Sequence, residues 1–456
     1  SYSQSYIPNK TNAFDFTNSD AHMTDINVMN IPLALYIHIP WCVKKCPYCD
    51  FNSHELPVDS QLSMYDEYVD ALLLDAQMQQ SLTQGREIGS IFIGGGTPSL
   101  LPIAQYQRLF AGLRACFIFA DDIEVTMEAN PGTLEHAPFA QYLDVGINRL
   151  SIGVQSFAAD KLKTLGRIHD PKQALSAIKA ARSAGFERVN VDLMHGLPQQ
   201  SLTEALNDIQ TAHNAGATHI SWYQLTIEPN TVFYRSQPIL PDEDSLADIE
   251  QAGQALLQQL GYDNYEVSAW SGASDKPCRH NVNYWQFGDY LAIGAGAHGK
   301  VTVDNNKSGD NKQSGDRASL LSESTLKALE TNEGLDSELV AESGIYRFSK
   351  SRLPKDYVDY QDITETSHDS QNFPKMIGWQ QIASDELVSE FMLNALRLHD
   401  GVSWTLFEDR TGLCHDSVAG QVDKLVKQGL LVDDRQQLKP TVLGSRYLNQ
   451  ILRAFL

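Results

Sequence analysis

At 456 residues, 42% hydrophobic and 20% charged, the chain is long enough to fold as two or three domains with cores of their own. A formal net charge of -22 excludes a general affinity for nucleic acid or anionic lipid, because no basic patch offsets it. No apolar run reaches the roughly eighteen residues of a membrane span, and the polar leader (1–32) lacks the pattern of a signal peptide, so a cytoplasmic protein is expected.

Past the leader, short β-rich runs alternate with amphipathic stretches. The runs are LALYIHI (33–39), IGSIFIGGG (88–96), DIEVTMEANP (122–131), RLSIGVQSF (149–157), RVNVDLMHGLP (188–198) and HISWYQLTIEP (219–229). Between them, PKQALSAIKAARSAGF (171–186) sets Leu175, Ile178 and Ala181 at helical spacing, with Gly185 as the stop. Six such alternations predict a parallel sheet, since parallel neighbours need crossover connections. Strand ends rich in Gly, Pro and polar residues then converge on one rim, where α/β folds hold their chemistry.

A connecting region (241–381) follows. It holds a helical stretch, the segment YEVSAWSGASDKPCRHNVNYW (265–285) and a Gly-rich strand and turn, YLAIGAGAHGKV (290–301). The stretch 303–344 is polar and Ser/Asn/Asp-rich, the composition of a mobile insertion. From 382 to 456, two helices followed by GLLVDDRQQLKPT (429–441) give the pattern of a small winged-helix-like domain.

Three of the six cysteines, Cys42, Cys46 and Cys49, fall within YIHIPWCVKKCPYCDF (36–51). Cys116, Cys278 and Cys414 are scattered, which suits a reducing compartment better than a disulfide framework. Structural zinc prefers four closed ligands, and His38 or His54 completes such a set. A four-iron cubane on three thiolates instead keeps one corner open for an exogenous ligand. Spacing alone leaves both open. Gly94, Gly95 and Gly96 end the second run, where absent side chains admit a ligand close to the backbone or simply permit a tight turn. Glu128, Gln155 and Asp192 end later runs, as rim residues or as groups aimed into the mouth; Arg167 is suited to pairing a carboxylate.

The C-x3-C-x2-C run just after a first strand, with GGGTP one strand later, resembles the radical S-adenosylmethionine superfamily. That resemblance implies an incomplete (β/α)6 barrel over 33–240 with a smaller, mainly helical C-terminal domain. It implies a [4Fe-4S] cluster on Cys42, Cys46 and Cys49, whose open iron S-adenosylmethionine chelates through its amino and carboxylate groups. Within the superfamily the chain is similar to the oxygen-independent coproporphyrinogen III oxidase family, from about residue 33 to the C-terminus apart from 303–344. On that family's pattern the S-adenosylmethionine positions are Tyr36, Gly95, Gly96, Thr97, Glu128, Gln155, Arg167 and Asp192.

The decarboxylases of this family carry a fourth cysteine two residues after the third, and here Phe51 stands in that place. The CDF ending (49–51) and HNVNYW (280–285) resemble the family's other branch, the haem chaperones. An imidazole ligates iron well and aromatic rings cover a porphyrin, although a helix packing its aromatics into a core has the same composition. The resemblance implies haem at His280, Asn281, Tyr284 and Trp285, with His280 and Tyr284 on one helix face and the haem exposed for exchange. The implied function is transfer of haem to an acceptor haem protein, with a one-electron reductant serving the cluster. The rivals are radical decarboxylation of coproporphyrinogen propionates to vinyls and a zinc protein whose cysteines only brace a loop.

Overall fold

The computed structural model describes residues 26–57, 62–132, 139–304, 343–359 and 376–456. Runs that are apolar throughout need cover on both faces, and parallel pairing between helices supplies it. The strands β1 (Leu33–Ile39), β2 (Ile88–Gly95), β3 (Phe119–Ala129), β4 (Arg149–Gln155), β5 (Arg188–His195) and β6 (His219–Gln224) follow one another in the sheet. Each pairs in parallel with the next. The crossovers run through α1 (Leu62–Met78), α2 (Ile103–Cys116), α3 (Phe139–Val145), α4 (Pro171–Ser183) and α5 (Leu202–Ala215). Local chemistry sets their ends. Asp170 and Gln173 close a capping box around Pro171 at the start of α4, Ser201 and Glu204 do the same for α5, and Gly185 takes a φ of 106° just past α4.

The sheet continues past these six strands. After α6 (Glu243–Gln259), β7 (Tyr262–Asn264) and β8 (Ala269–Gly272) add antiparallel beyond β6. After α7 (Arg279–Trp285), β9 (Asp289–Ile293) returns to lie parallel beside β1. The strands β10 (His298–Val303), β11 (Gly344–Lys350) and β12 (Met376–Gln381) then extend that edge antiparallel. The order is β12-β11-β10-β9-β1-β2-β3-β4-β5-β6-β8-β7, with no pairing between the two ends. The fold is thus the expected incomplete α/β barrel. The run 290–301 proves to be two strands, turned where Gly294 and Gly296 adopt φ of 107° and 74°. Apart from its ends, the 303–344 interval lies outside the described residues; Val303 and Gly344 themselves pair across β10 and β11.

Buried ion pairs fasten this extension to the barrel. Asp289 on β9 meets Arg86 at 2.8 Å and Lys300 of β10 at 3.0 Å, and Lys350 of β11 reaches Asp75 of α1 at 2.6 Å. Removing one partner of such a pair leaves an uncompensated charge inside, so these pairs fix the register of the added strands.

The C-terminal region is mainly helical, as read: α8 (Ser384–Ala395), α9 (Trp404–Thr411) and α10 (Ala419–Lys427), then two short helices over Val442–Arg446 and Leu448–Arg453. A two-stranded ribbon joins Val402–Ser403 to Gln437–Leu438 beside a bridge from Leu431 to Pro440, which gives the small wing. Its core gathers Phe391, Phe407, Leu425 and Ile451, and takes in Trp285 from α7. Among the described residues no helix is long and apolar enough to cross a membrane.

Candidate functional site

The cysteine run leaves β1 through Pro40 and folds back on itself. Trp41–Cys42 pairs with His54–Glu55, and the Cys49 amide donates to the Cys46 carbonyl at 3.1 Å. All three thiols are free and half-buried. Each faces a polar neighbour: Thr97 Oγ1 lies 3.6 Å from Cys42 Sγ, Arg167 Nη1 3.7 Å from Cys46 Sγ, and Ser53 Oγ 3.9 Å from Cys49 Sγ. Burial pushes the Cys49 thiol up to about 11. The loop thus collects Thr97 and Arg167, from distant parts of the chain, around the three sulfurs.

The glycines at the end of β2 are demanded by protein packing. A Cβ on Gly96 would lie 2.5 Å from the Trp41 carbonyl oxygen, one on Gly95 2.7 Å from the His38 ring, and one on Gly94 2.9 Å from Glu128 Oε2. Gly95 also has a φ of 118°, which side chains rarely adopt. The amides of Gly95, Gly96 and Thr97 donate to Glu128 Oε2, Ile39 O and Trp41 O. These bonds lock the end of β2 onto the cysteine loop.

Alternation along each strand turns a set of polar side chains to the barrel interior. Ser151 and Asn190 both donate to the Asp192 carboxylate, at 3.0 and 2.8 Å, and Asn190 Oδ1 lies 2.6 Å from His219 Nδ1. Burial raises the pKa of Asp192, and burial together with the Asp192 charge pushes Glu128 up to about 7. Neither carboxylate has an ion-pair partner among the described residues. Gln155 sits at a break in the β4–β5 register with a φ of 73°, and its Oε1 accepts from the Tyr223 hydroxyl at 2.8 Å. A non-glycine residue held in left-handed backbone stores about 1–3 kcal/mol, which marks a position fixed by its surroundings. Arg167 donates to the Gly153 carbonyl and to Cys46 Sγ, and its Nε has no partner among the described residues. Tyr36 stands nearby on β1, its hydroxyl 2.9 Å from His38 Nδ1.

The HNVNYW segment is α7, a helix lying over β2, β1 and β9, and its two halves do different things. His280 stacks on Phe92 with centroids 4.7 Å apart and lies 6.3 Å from the Tyr36 ring. Its Nδ1 has no hydrogen-bond partner, and burial lowers its pKa to about 4. Tyr284, one turn on, packs against Tyr290 of β9 at 5.3 Å. Asn281 is half-buried beside His280, whereas Trp285, 4% exposed, belongs to the C-terminal core. Asn283, not singled out in the sequence, donates to the Asp289 carbonyl at 2.9 Å and ties α7 to β9. The residue is half-buried, its ring laid on Phe92 and its Nδ1 turned away from solvent.

The sequence reading missed one further residue of this region and took another, His38, only as a possible zinc ligand. Glu124, four positions before Glu128 on β3, accepts from the Arg279 amide at 2.9 Å and the Cys278 thiol at 3.4 Å, and pairs with Arg188. It caps α7 from another strand. Arg279 itself pairs with Asp122 at 2.7 Å on the surface. His38 links Tyr36 to the cysteine loop, its Nε2 donating to the Asn52 carbonyl at 2.8 Å. The two-residue step from Tyr36 to His38 was the available signal, since both then face inward; nothing local flags Glu124.

Comparison with known proteins finds relatives along most of the chain. Residues 36–212 match the model of the radical SAM superfamily, and residues 382–447 match that of the HemN C-terminal domain. The chain is 43% identical over 425 residues to "Heme chaperone HemW" of Escherichia coli K12, covering 93% of this chain and 98% of that protein. With "Heme chaperone HemW" of Bacillus subtilis it shares 31% identity over 429 residues, covering 93% and 99%. Among solved structures, coproporphyrinogen III oxidase (HemN) from Escherichia coli superposes with a TM-score of 0.70 at 22% identity, over 93% of this chain and 90% of that one. That last likeness speaks to fold alone.

Proposed function

The chain belongs to the HemW family of radical SAM proteins, and from that premise we propose that it is a haem chaperone which binds haem within its barrel and passes it to an acceptor haem protein. The observation that carries the proposal is His280. Its neutral imidazole, with a free Nδ1 and a pKa of about 4, lies over Phe92 and Tyr36, where iron meets no competition from a proton at neutral pH. Tyr284 and Asn281 flank that position. Trp285 contributes by anchoring the helix rather than by covering a porphyrin.

Cys42, Cys46 and Cys49 would hold the [4Fe-4S] cluster. Three free thiols on one loop, with Thr97 and Arg167 beside two of them, support that reading, and the family implies the cluster. Tyr36, Gly95, Gly96, Thr97, Glu128, Gln155, Arg167 and Asp192 would line the S-adenosylmethionine site. Two half-buried carboxylates with no ion-pair partner among the described residues suit a ligand that brings a sulfonium, an ammonium and ribose hydroxyls. When bound, the cluster and this nucleoside supply one-electron chemistry, for which an external reductant is required. The protein's part is to position both groups and keep water away from them.

The test is anaerobic reconstitution followed by haem titration. Reconstituted protein is expected to carry four irons and absorb broadly near ~400 nm, and added haem to give a Soret band that weakens in His280→Ala. A Soret band unchanged in that variant overturns the haem assignment. Vinyl formation from coproporphyrinogen would overturn the chaperone reading in favour of the decarboxylase.

A further inference from the structure

Away from the barrel, the C-terminal region brings three different metal-binding side chains together. The ligand atoms of Glu408, Cys414 and His415 all lie within 4.8 Å of one another. His415 Nδ1 is 2.7 Å from Glu408 Oε1, and the same oxygen accepts from the His415 backbone amide at 3.1 Å. Cys414 is an exposed free thiol. The loop that carries them is pinned: Gly412 ends α9 with a φ of 70°, Leu413 and Val418 are 2% and 1% exposed, and the Trp404 ring lies 5.9 Å from the His415 ring. On the far side of the imidazole, Asp416 Oδ1 stands 3.7 Å from Nε2.

We propose that Glu408, Cys414 and His415 form a surface site for a zinc-like divalent ion, with a fourth position open to water. One thiolate, one imidazole and one carboxylate is a borderline-soft donor set of the kind zinc takes. In a tetrahedral zinc site these donors stand about 3–4 Å apart, so the ion closes the trio with a small rotation of the exposed thiol. Metal-bound imidazoles usually give their other N–H to a carboxylate, and Asp416 is placed for that. Binding moves the imidazole hydrogen from Nδ1 to Nε2 and releases the thiol proton to solvent, so the ion replaces one proton and one hydrogen bond. The site is independent of the cluster cysteines and of haem at His280.

The experiment uses the full chain, reconstituted and freed of adventitious zinc, titrated with Zn2+ against a chromophoric chelator. Wild type is expected to bind one zinc more than Cys414→Ser or His415→Gln, and Asp416→Asn to bind it about tenfold more weakly or worse. Co2+ should add a thiolate charge-transfer band that Cys414→Ser lacks. Iron content and the haem Soret titration should be unchanged in Cys414→Ser, which separates this site from the barrel. Equal zinc stoichiometry in wild type and Cys414→Ser, or no cobalt–thiolate band in wild type, overturns the proposal.

Discussion

The imidazole of His280 lies almost flat on the Phe92 ring, centroids 4.7 Å apart and 26° between planes. Phe92 stands two residues before Gly94 on β2, and a Cβ on Gly94 would touch both Phe92 and Glu128. One aromatic side chain therefore joins the helix proposed to hold haem to the strand end proposed to hold S-adenosylmethionine.

The two ends of α7 are expected to respond differently to mutation. Trp285→Ala opens a void in the C-terminal core and should cost about 3–5 kcal/mol in denaturant unfolding. His280→Ala leaves no hydrogen-bond partner behind at Nδ1 and should move the unfolding midpoint little while weakening the Soret band. A large stability loss in His280→Ala with normal haem binding would reverse these assignments.

Affinity for S-adenosylmethionine should depend on pH through Glu128. In the ligand-free fold this carboxyl titrates near 7, raised from 4.5 by burial and the Asp192 charge. Between those values the folded state holds the extra proton, so Glu128 contributes stability at low pH that is lost as pH rises through about 7. A cationic ligand favours the carboxylate, so binding should expel a proton and tighten by up to about tenfold per pH unit below 7. Calorimetry in buffers of different ionisation enthalpy reads the proton directly, and Glu128→Gln should flatten the profile. A flat wild-type profile would remove the role given to this carboxylate.

Gly96→Ala should disable the cysteine loop. Its Cβ would sit 2.5 Å from the Trp41 carbonyl oxygen and 2.9 Å from the Pro40 carbonyl carbon, both of them backbone that cannot swing aside. A loss of about 2 kcal/mol and a sharp drop in iron retained after reconstitution are expected. Gly420→Ala, with open space around its Cβ, is the control.

Glu124→Ala should misplace α7 without touching either proposed ligand. It strips the cap from the Arg279 amide and leaves Arg188 with Asp275 as its remaining ion-pair partner, at an expected cost of about 3 kcal/mol. The haem spectrum should broaden even in protein that stays folded. Glu124→Gln, which keeps an acceptor for the amide, should retain more of the native spectrum than Glu124→Ala.

Much of this was legible in the chain. Short β-rich runs alternating with amphipathic stretches predicted the parallel strands, and helical spacing with Gly185 as the stop predicted the helix over 171–183. A strand within 290–301 was legible, but the place of the β9–β12 edge in the sheet was not, because it depends on pairing with β1 and on buried charges brought from α1 and Arg86. The glycine triplet was visible as a motif, but its reason was not; His38 and Trp41, which exclude side chains there, come from another strand.

Sequence by itself determined what depends on neighbours along the chain: strand and helix periods, caps, the order of ligand-bearing strand ends, and the family pattern they carry. Tertiary structure alone decided what depends on distant residues meeting. It put His280 on Phe92, set Glu124 beneath α7, sent Trp285 into the second core and brought Arg167 to the Cys46 sulfur. Backbone preferences are local and can be read in order. Desolvation and contact depend on which surfaces the folded chain brings together, and no short stretch of sequence carries that information.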